Sequence, residues 1–162
     1  MKKISFVILC AVATLVFASC KTGDNKDANG DTPSSVVEKM HKAIKANNFD
    51  EAVSYSKIPD TLKIKIVEKN IYEQFKDNPT DKDGKVIVTS DEWKAFLISK
   101  MEAESKGSTL DSWEIVDEEI SNTDPNSAKV KVKIKRTTEK GQQEAEKTFP
   151  LKREDNVWKI IG

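Results

Sequence analysis

The chain has 162 residues and carries 27 basic and 27 acidic side chains, so its formal net charge at pH 7 is zero. This balance excludes the strongly basic composition of nucleic-acid-binding proteins, and we expect no nucleic acid among its partners. Because 33% of the residues are charged, the core must be built from a few well-placed apolar stripes.

Residues 1–19 have the features of a secretory signal peptide. Two lysines precede a mostly apolar stretch, residues 4–17, which is shorter than the roughly 20 residues of a membrane-spanning helix. The small residues Ala18 and Ser19 then stand directly before Cys20. This order resembles the bacterial lipobox, in which a peptidase cuts before a cysteine that carries a thioether-linked diacylglycerol.

The alternative is an ordinary secreted protein, cut near Ala18, in which Cys20 is a free thiol. A lone reactive thiol is a liability in an oxidising compartment, so we expect Cys20 to be lipidated. Residues 20–31 then form a flexible tether, because KTGDNKDANGD contains no large apolar residue. The expected location is the cell envelope, as a membrane-anchored lipoprotein of the outer membrane of a Gram-negative bacterium. Periplasmic and cell-surface exposure stay open.

Residues 32–106 have helical periodicity. Thr32 and Pro33 offer an N-cap and a proline at the first helical position, and a short second helix is expected at residues 49–55. A third helix is expected from Asp60 onward. Its apolar stripe is Ile64, Val67, Ile71 and Phe75.

A fourth helix follows a short apolar patch, residues 86–88, that fits an edge strand. Thr89 and Glu92 have the spacing of a capping box, and the helix is expected to end near Gly107. Its expected buried stripe is Trp93, Phe96, Leu97 and Met101.

In residues 112–162 the spacing of apolar residues changes from the 3.6-residue period of a helix to the 2-residue period of a strand. The clearest strand is AKVKVKIK, residues 128–135, in which lysine alternates with valine or isoleucine. A turn at residues 140–141 would place Val132 opposite Phe149, so that apolar side chains face each other.

Two further strands complete the expected sheet. A turn at residues 155–156 sets Leu151 against Ile160, and Trp113 begins a fourth strand with a bulge near residues 116–118. An apolar sheet face needs a covering layer, which the helices supply. We therefore expect one α+β domain, residues 32–162, in which N-terminal helices pack on a curved antiparallel sheet of about four strands.

This pattern resembles small bacterial lipoproteins with an uncharacterised domain of the nuclear transport factor 2-like superfamily. The resemblance depends on residues 34–56, SSVVEKMHKAIKANNFDEAVSYS, on the lysine-alternating strand, and on residues 149–162, FPLKREDNVWKIIG. It implies a sheet closed by helices like a cone, often with a pocket inside. Members of that superfamily include isomerases, dehydratases, binding modules and dimerisation units, so the fold does not settle the function.

His41 is the only histidine, and it lies beside the apolar stripe of the first helix. In a pocket enzyme of isomerase or dehydratase type it would need an acid or tyrosine partner, for which Tyr55, Asp60 and Tyr72 are candidates. The favoured interpretation is a half-exposed helix residue. No nucleophile elbow, phosphate loop or histidine–cysteine metal spacing occurs, so we expect neither a catalytic residue nor a cofactor.

The segment DKDGKVIVTSDEW, residues 81–93, resembles a calcium-binding loop in outline. Lys85 stands where a ligand belongs and Val86 where a glycine makes the sharp turn, so we expect no metal. The favoured interpretation is a polar turn followed by a capped helix.

Three tryptophans and His41 are the candidates for a pocket. Trp93, Trp113 and Trp158 would stack on a ligand inside the cone, and core packing is the favoured alternative for each. The lysine face of the 128–135 strand is expected to be solvated, because nearby glutamates neutralise it. The function predicted is a non-enzymatic, lipid-anchored module that binds a small apolar ligand or a protein partner, and the rival is the His41 enzyme. A homodimer through the sheet face is a third possibility.

Overall fold

The computed structural model describes residues 25–65 and 69–161, so the predicted leader and Cys20 lie outside the described residues. The fold is α+β with helices N-terminal to a curved antiparallel sheet, which confirms the predicted fold class. The helices are α1 (Pro33–Lys45), α2 (Phe49–Ser54), α3 (Lys69–Phe75) and α4 (Ser90–Gly107), and the strands are β1 (Thr61–Ile64), β2 (Val86–Thr89), β3 (Ser108–Ile120), β4 (Ser127–Thr138), β5 (Gly141–Glu154) and β6 (Val157–Ile160). None of the described helices is long and apolar enough to cross a membrane.

Helix α1 begins as predicted. The Thr32 side chain accepts the N–H of Ser35 at 3.2 Å, and proline occupies the start of the helix. The helix is tied to β3 near its start, where the N–H of Ser34 donates to a carboxylate oxygen of Glu118 at 2.8 Å. Its apolar face is buried through Val36, Val37, Met40 and Ala43.

The main sheet has the strand order β3-β4-β5-β6, and all its pairs are antiparallel. Its ladder is irregular between Ile115 and Asp117, which confirms the predicted bulge. The bulge leaves Val116 44% exposed. One face of the sheet is apolar and buried as predicted, through Val130, Val132, Ile134, Phe149, Leu151, Trp158 and Ile160.

The register of β4 against β5 differs from the prediction by two residues. The turn occupies residues 139–140, so Thr138 pairs with Gly141 and Val130 pairs with Phe149. A shift of two residues keeps every side chain on its own face, so the inside–outside pattern cannot distinguish the two registers. Next to the observed turn, Gly141 has a left-handed φ of 100°, a conformation that favours glycine.

The predicted third helix was wrong in its first half. Residues 61–64 form β1, which pairs with β2 in a separate two-stranded sheet, and the described helix α3 comprises Lys69–Phe75. Leu62 and Ile64 also fit an alternating pattern, and pairing with β2 selects that period. This part of the chain has its own small core around Phe75, Val86 and Val88.

Helix α4 carries the predicted capping box, in which Thr89 and Glu92 bond each other's backbone N–H. The predicted buried stripe was wrong in one respect, because no residue of α4 is fully buried. Its large apolar residues are half-buried, since the helix borders a cavity instead of lying flat on the sheet.

Residues 25–31, which we name the N-terminal clasp, contradict the prediction of a flexible tether up to residue 31. The Asp27 side chain is buried, with the residue 8% exposed, and the N–H of Ala28 donates to the carbonyl of Asn156 at 2.7 Å. The carbonyl of Asn25 accepts the indole N–H of Trp158 at 2.9 Å. Polar side chains replace apolar burial here, so composition alone misassigned the segment.

Candidate functional site

A cavity of about 400 Å³ lies between α1, α4 and the apolar face of the main sheet. Ligand pockets in proteins usually have volumes of about 300–1,000 Å³ and mostly apolar walls. The wall includes Met40 and Ile44 from α1, Trp93, Leu97 and Met101 from α4, and Phe149 from β5. The cavity exists because the side chains of α4 only partly fill the space above the sheet.

The charged groups of the cavity wall differ in their partners. The guanidinium of Arg136 lies 3.5 Å from a carboxylate oxygen of Glu104, so these two charges largely compensate each other. The ammonium of Lys147 lies 5.0 Å from the ring centroid of Phe149. In the described part of the chain, no carboxylate lies within ion-pair distance of Lys147, so this amine is a free cation at the wall.

Two of the predicted pocket tryptophans line the cavity. Trp93 connects it to the small core, with ring centroids 6.0 Å from Phe75 and 5.1 Å from Phe96. Trp113 packs 5.6 Å from Phe149, and its indole N–H is buried without an acceptor in the described part of the chain. A buried donor without a partner costs about 1–3 kcal/mol and calls for a physical explanation.

His41 is not part of the cavity wall. Its ring stacks on Trp113 with centroids 4.5 Å apart and planes only 2° apart. Burial lowers the pKa of His41 below its ordinary value, and the cations of Lys45 and Lys42 lower the pKa further, against the opposing effect of Glu38. The imidazole serves as a packing surface for the indole.

The candidate partners of His41 are occupied elsewhere or exposed. The hydroxyl of Tyr55 donates to Glu51 at 3.0 Å, and both Asp60 and Tyr72 are exposed. Within the described ranges, none of the three bonds to His41. Within the described residues, none of these three candidates therefore forms an acid–base pair with this histidine.

Trp158 belongs to the core and not to the cavity. It is 1% exposed, and the guanidinium of Arg153 lies 5.2 Å from its ring centroid. Trp158 is on the same sheet face as Ile160, which does line the cavity, but the N-terminal clasp covers the Trp158 end. Of the four candidate pocket residues, the structure therefore brings together Trp93 and Trp113 and places His41 and Trp158 outside the wall.

Sequence reasoning did not identify Met40, Ile44 and Lys147 as parts of the wall. Met40 and Ile44 lie on the apolar stripe of α1, and the periodicity of such a stripe does not distinguish a cavity wall from a core. The position of Lys147 depends on the register of β5 against β4, which the sequence did not determine.

The outer face of the sheet carries a compensated charge pattern. Lys131 lies 2.6 Å from Glu146, and Lys133 lies 2.6 Å from Glu144. Neutralisation of the lysines by these two glutamates confirms that part of the prediction. A homodimer through this face stays a prediction, which light scattering on residues 21–162 would test.

The loop that resembles a calcium site uses its first carboxylate for the turn itself. One oxygen of Asp81 accepts the N–H groups of Asp83 at 2.9 Å and Lys85 at 3.0 Å, and the other lies 3.4 Å from the ammonium of Lys63. Over the residues that the structure describes, no group of three or more histidine, cysteine, aspartate or glutamate side chains is arranged to hold a metal ion.

No family model matches the sequence, and no curated protein is significantly similar to it. Among solved structures, a Sec-C motif-containing protein from Psychrobacter arcticus is 13% identical, with a TM-score of 0.50 over 82% of this chain and 59% of that one. A protein of unknown function from Shewanella oneidensis, described as NTF-2 like, is 14% identical, with a TM-score of 0.43 over 79% of this chain and 91% of that one.

A third similar structure is a Mycobacterium tuberculosis protein in complex with estradiol-17beta-hemisuccinate. It is 13% identical, with a TM-score of 0.45 over 82% of this chain and 93% of that one. Likeness at these identities concerns the fold alone. Nuclear transport factor 2-like proteins of known structure are thus among those to which this chain is similar, and the α+β architecture is the property that they have in common with it.

Proposed function

We propose that the chain is a non-enzymatic binding module of the nuclear transport factor 2-like type, whose cavity takes a small apolar ligand with an anionic end. The cavity between α1, α4 and the sheet carries the proposal. Its wall consists largely of half-buried apolar side chains, and a ligand that removes their surface from water gains roughly 25 cal/mol per Å² of apolar area. Leu97 and Met101 are examples on α4.

One charged group of the wall supports a ligand with an anionic end. The Lys147 ammonium would attract an anionic group, since the Arg136 guanidinium is already engaged by Glu104. Few polar groups in a mainly apolar wall are the usual arrangement by which a pocket orients an amphiphile.

The second part of the proposal concerns location. The order of charge, apolar stretch, small residues and Cys20 supports a diacylglycerol anchor in the cell envelope, and two or more acyl chains hold a protein firmly to a membrane. Metabolic labelling with palmitate tests it. We expect label on the native chain and none on the Cys20→Ala variant, and an unlabelled native chain that is free of membranes would contradict the anchor.

The rival enzyme with His41 as base is not favoured by the geometry. A general base must come within about 3 Å of the proton that it abstracts from the bound substrate. His41 is stacked on Trp113 outside the cavity wall. The position of His41 therefore favours binding without chemistry.

Ligand binding is tested with a long-chain carboxylate and the alcohol of the same chain length, followed by tryptophan fluorescence. We expect the carboxylate to bind more tightly to the native protein. In Lys147→Ala the preference should disappear, whereas Lys140→Ala, in the exposed β4–β5 turn, should keep it.

Native mass spectrometry of the protein purified from its own envelope gives a second readout. A retained small molecule is the expected result. Failure of both amphiphiles to bind, together with a retained polypeptide, would contradict the proposal and favour a protein partner.

A further inference from the structure

The N-terminal clasp binds one end of the main sheet through several specific hydrogen bonds. The Asp27 carboxylate accepts the backbone N–H of Trp158 at 3.0 Å, and the N–H of Ala28 donates to the carbonyl of Asn156 at 2.7 Å. The carbonyl of Asn25 accepts the indole N–H of Trp158. Asn25, the first described residue, is therefore fixed to the domain and does not belong to a free tether.

The clasp, the β3–β4 loop (residues 121–126) and the β5–β6 turn (residues 155–156) lie at the same end of the sheet. A hydrogen bond joins the β3–β4 loop to the end of β5, because the N–H of Arg153 donates to the carbonyl of Asn126 at 2.7 Å. The β4–β5 turn (residues 139–140) lies at the opposite end, because β5 runs from one end to the other. This strand has 14 residues, and at roughly 3.3 Å per residue its ends are about 45 Å apart.

Residues 21–24 are all that separates Cys20 from Asn25 in the sequence. Five consecutive Cα–Cα steps span at most about 18 Å even when fully extended, which is less than half the length of β5. If Cys20 is held at the membrane surface, the clasp end of the sheet must therefore stay near that surface. The β4–β5 turn has no such restriction.

From this geometry we propose that the clasp end of the domain faces the lipid bilayer and the β4–β5 turn points away from it. The inference depends on the proposed lipidation of Cys20. The partner is the lipid surface itself, and chain length sets the orientation. Surface charge does not set the orientation, because the charges at the clasp end compensate each other. Lys152 lies 3.7 Å from Asp124, and the exposed Lys26 is offset by the exposed Asp155.

Energy transfer from the domain to the membrane tests the orientation. A fluorophore is placed on the cysteine of Asn122→Cys, in the β3–β4 loop, or of Lys140→Cys, in the β4–β5 turn, both of which are exposed positions. The full lipidated chain is incorporated into vesicles of phosphatidylethanolamine and phosphatidylglycerol that contain rhodamine-labelled lipid. Each of the two labelled variants is also made with about 20 glycine and serine residues inserted after Gly23, which adds roughly 25 Å of average reach.

We expect transfer to be several-fold more efficient from position 122 than from position 140, and the difference to shrink in the lengthened chains. Equal transfer from both positions in a chain whose N-terminal mass includes the lipid would overturn this inference alone. An N-terminal mass without lipid would overturn the proposed anchor as well, so the two failures are distinguishable.

Discussion

The carboxylate of Asp27 accepts the backbone N–H of Trp158 at 3.0 Å, across 131 residues of sequence. Its other oxygen accepts the N–H groups of Asn29 at 2.8 Å and Asp31 at 3.0 Å. Burial opposes the ionised form, but these three backbone donors outweigh it, so the pKa of Asp27 lies below its ordinary value near 3.8. One buried side chain thus joins the start of the domain to its last strand.

Replacement of Asp27 by asparagine should destabilise the domain. The amide keeps the shape but offers one acceptor oxygen in place of two, which leaves a backbone N–H unpaired at a cost of about 1–3 kcal/mol. Urea unfolding followed by tryptophan fluorescence measures the change in the free energy of unfolding. Asp77→Asn, at an exposed position, is the control and should unfold like the native chain.

The same pair has a defined pH dependence. Because the pKa of Asp27 is lowered on folding, its contribution is present above pH 3.8 and is lost as the pH falls through the folded pKa. The difference in stability between the native chain and Asp27→Asn should therefore vanish in acid. A difference that stays constant down to pH 2 would show that the carboxylate charge is not involved.

His41 should act in a different pH range. Its pKa is lowered from about 6.5, mainly by burial against Trp113, so the unfolded chain binds the proton more readily than the folded one. The stability contributed by neutral His41 is present above pH 6.5 and is lost as the pH falls below it. Thermal unfolding between pH 8 and pH 5 should show a decline in the native chain that is smaller in His41→Gln, and equal declines would contradict the assignment.

Neighbouring positions on β4 should differ sharply in their effect on stability. Val132 is fully buried, and truncation to alanine should cost about 1.5–3 kcal/mol because apolar contacts are lost. Lys133→Ala removes an exposed ion pair with Glu144 and should change the free energy of unfolding little. Chemical denaturation of the two variants makes the comparison, and a larger loss in Lys133→Ala would contradict the face assignment.

Two leucines, one in the core and one in the cavity wall, should differ in whether their truncation affects stability or ligand binding. Leu151 is 1% exposed in the core, so Leu151→Ala should cost about 2–5 kcal/mol. Leu97 is half-buried in the cavity wall, so Leu97→Ala should cost less and instead weaken binding of the long-chain carboxylate. Titration of both variants with the long-chain carboxylate, under conditions in which both are folded, measures the two affinities. An unchanged affinity in Leu97→Ala would place the ligand elsewhere.

Local chemistry in the sequence was sufficient to predict the elements whose signals agree. Thr32 and Pro33 specify the start of α1, Thr89 and Glu92 form a capping box, and the valine–lysine alternation of β4 assigns each side chain to a face. These features depend on neighbours within a few residues, so no tertiary information is needed to recognise them.

The structure places two of the four candidate pocket residues in the cavity wall. Trp93 and Trp113 were candidates because large aromatic side chains suit both a core and a cavity wall, and the sequence could not separate these roles. Packing decides them: α4 leaves space above Trp113, whereas the clasp closes the sheet over Trp158.

The sequence by itself determined the fold class, the apolar face of the sheet and the first and fourth helices, because periodicity and capping are local. Only the tertiary structure decided the β4–β5 register, the strand at residues 61–64, the cavity and the ordered clasp. Each of these depends on a partner distant in sequence, as Leu62 depends on Val88 and Asp27 depends on Trp158. A side chain's own pattern cannot reveal which of two compatible partners will meet it.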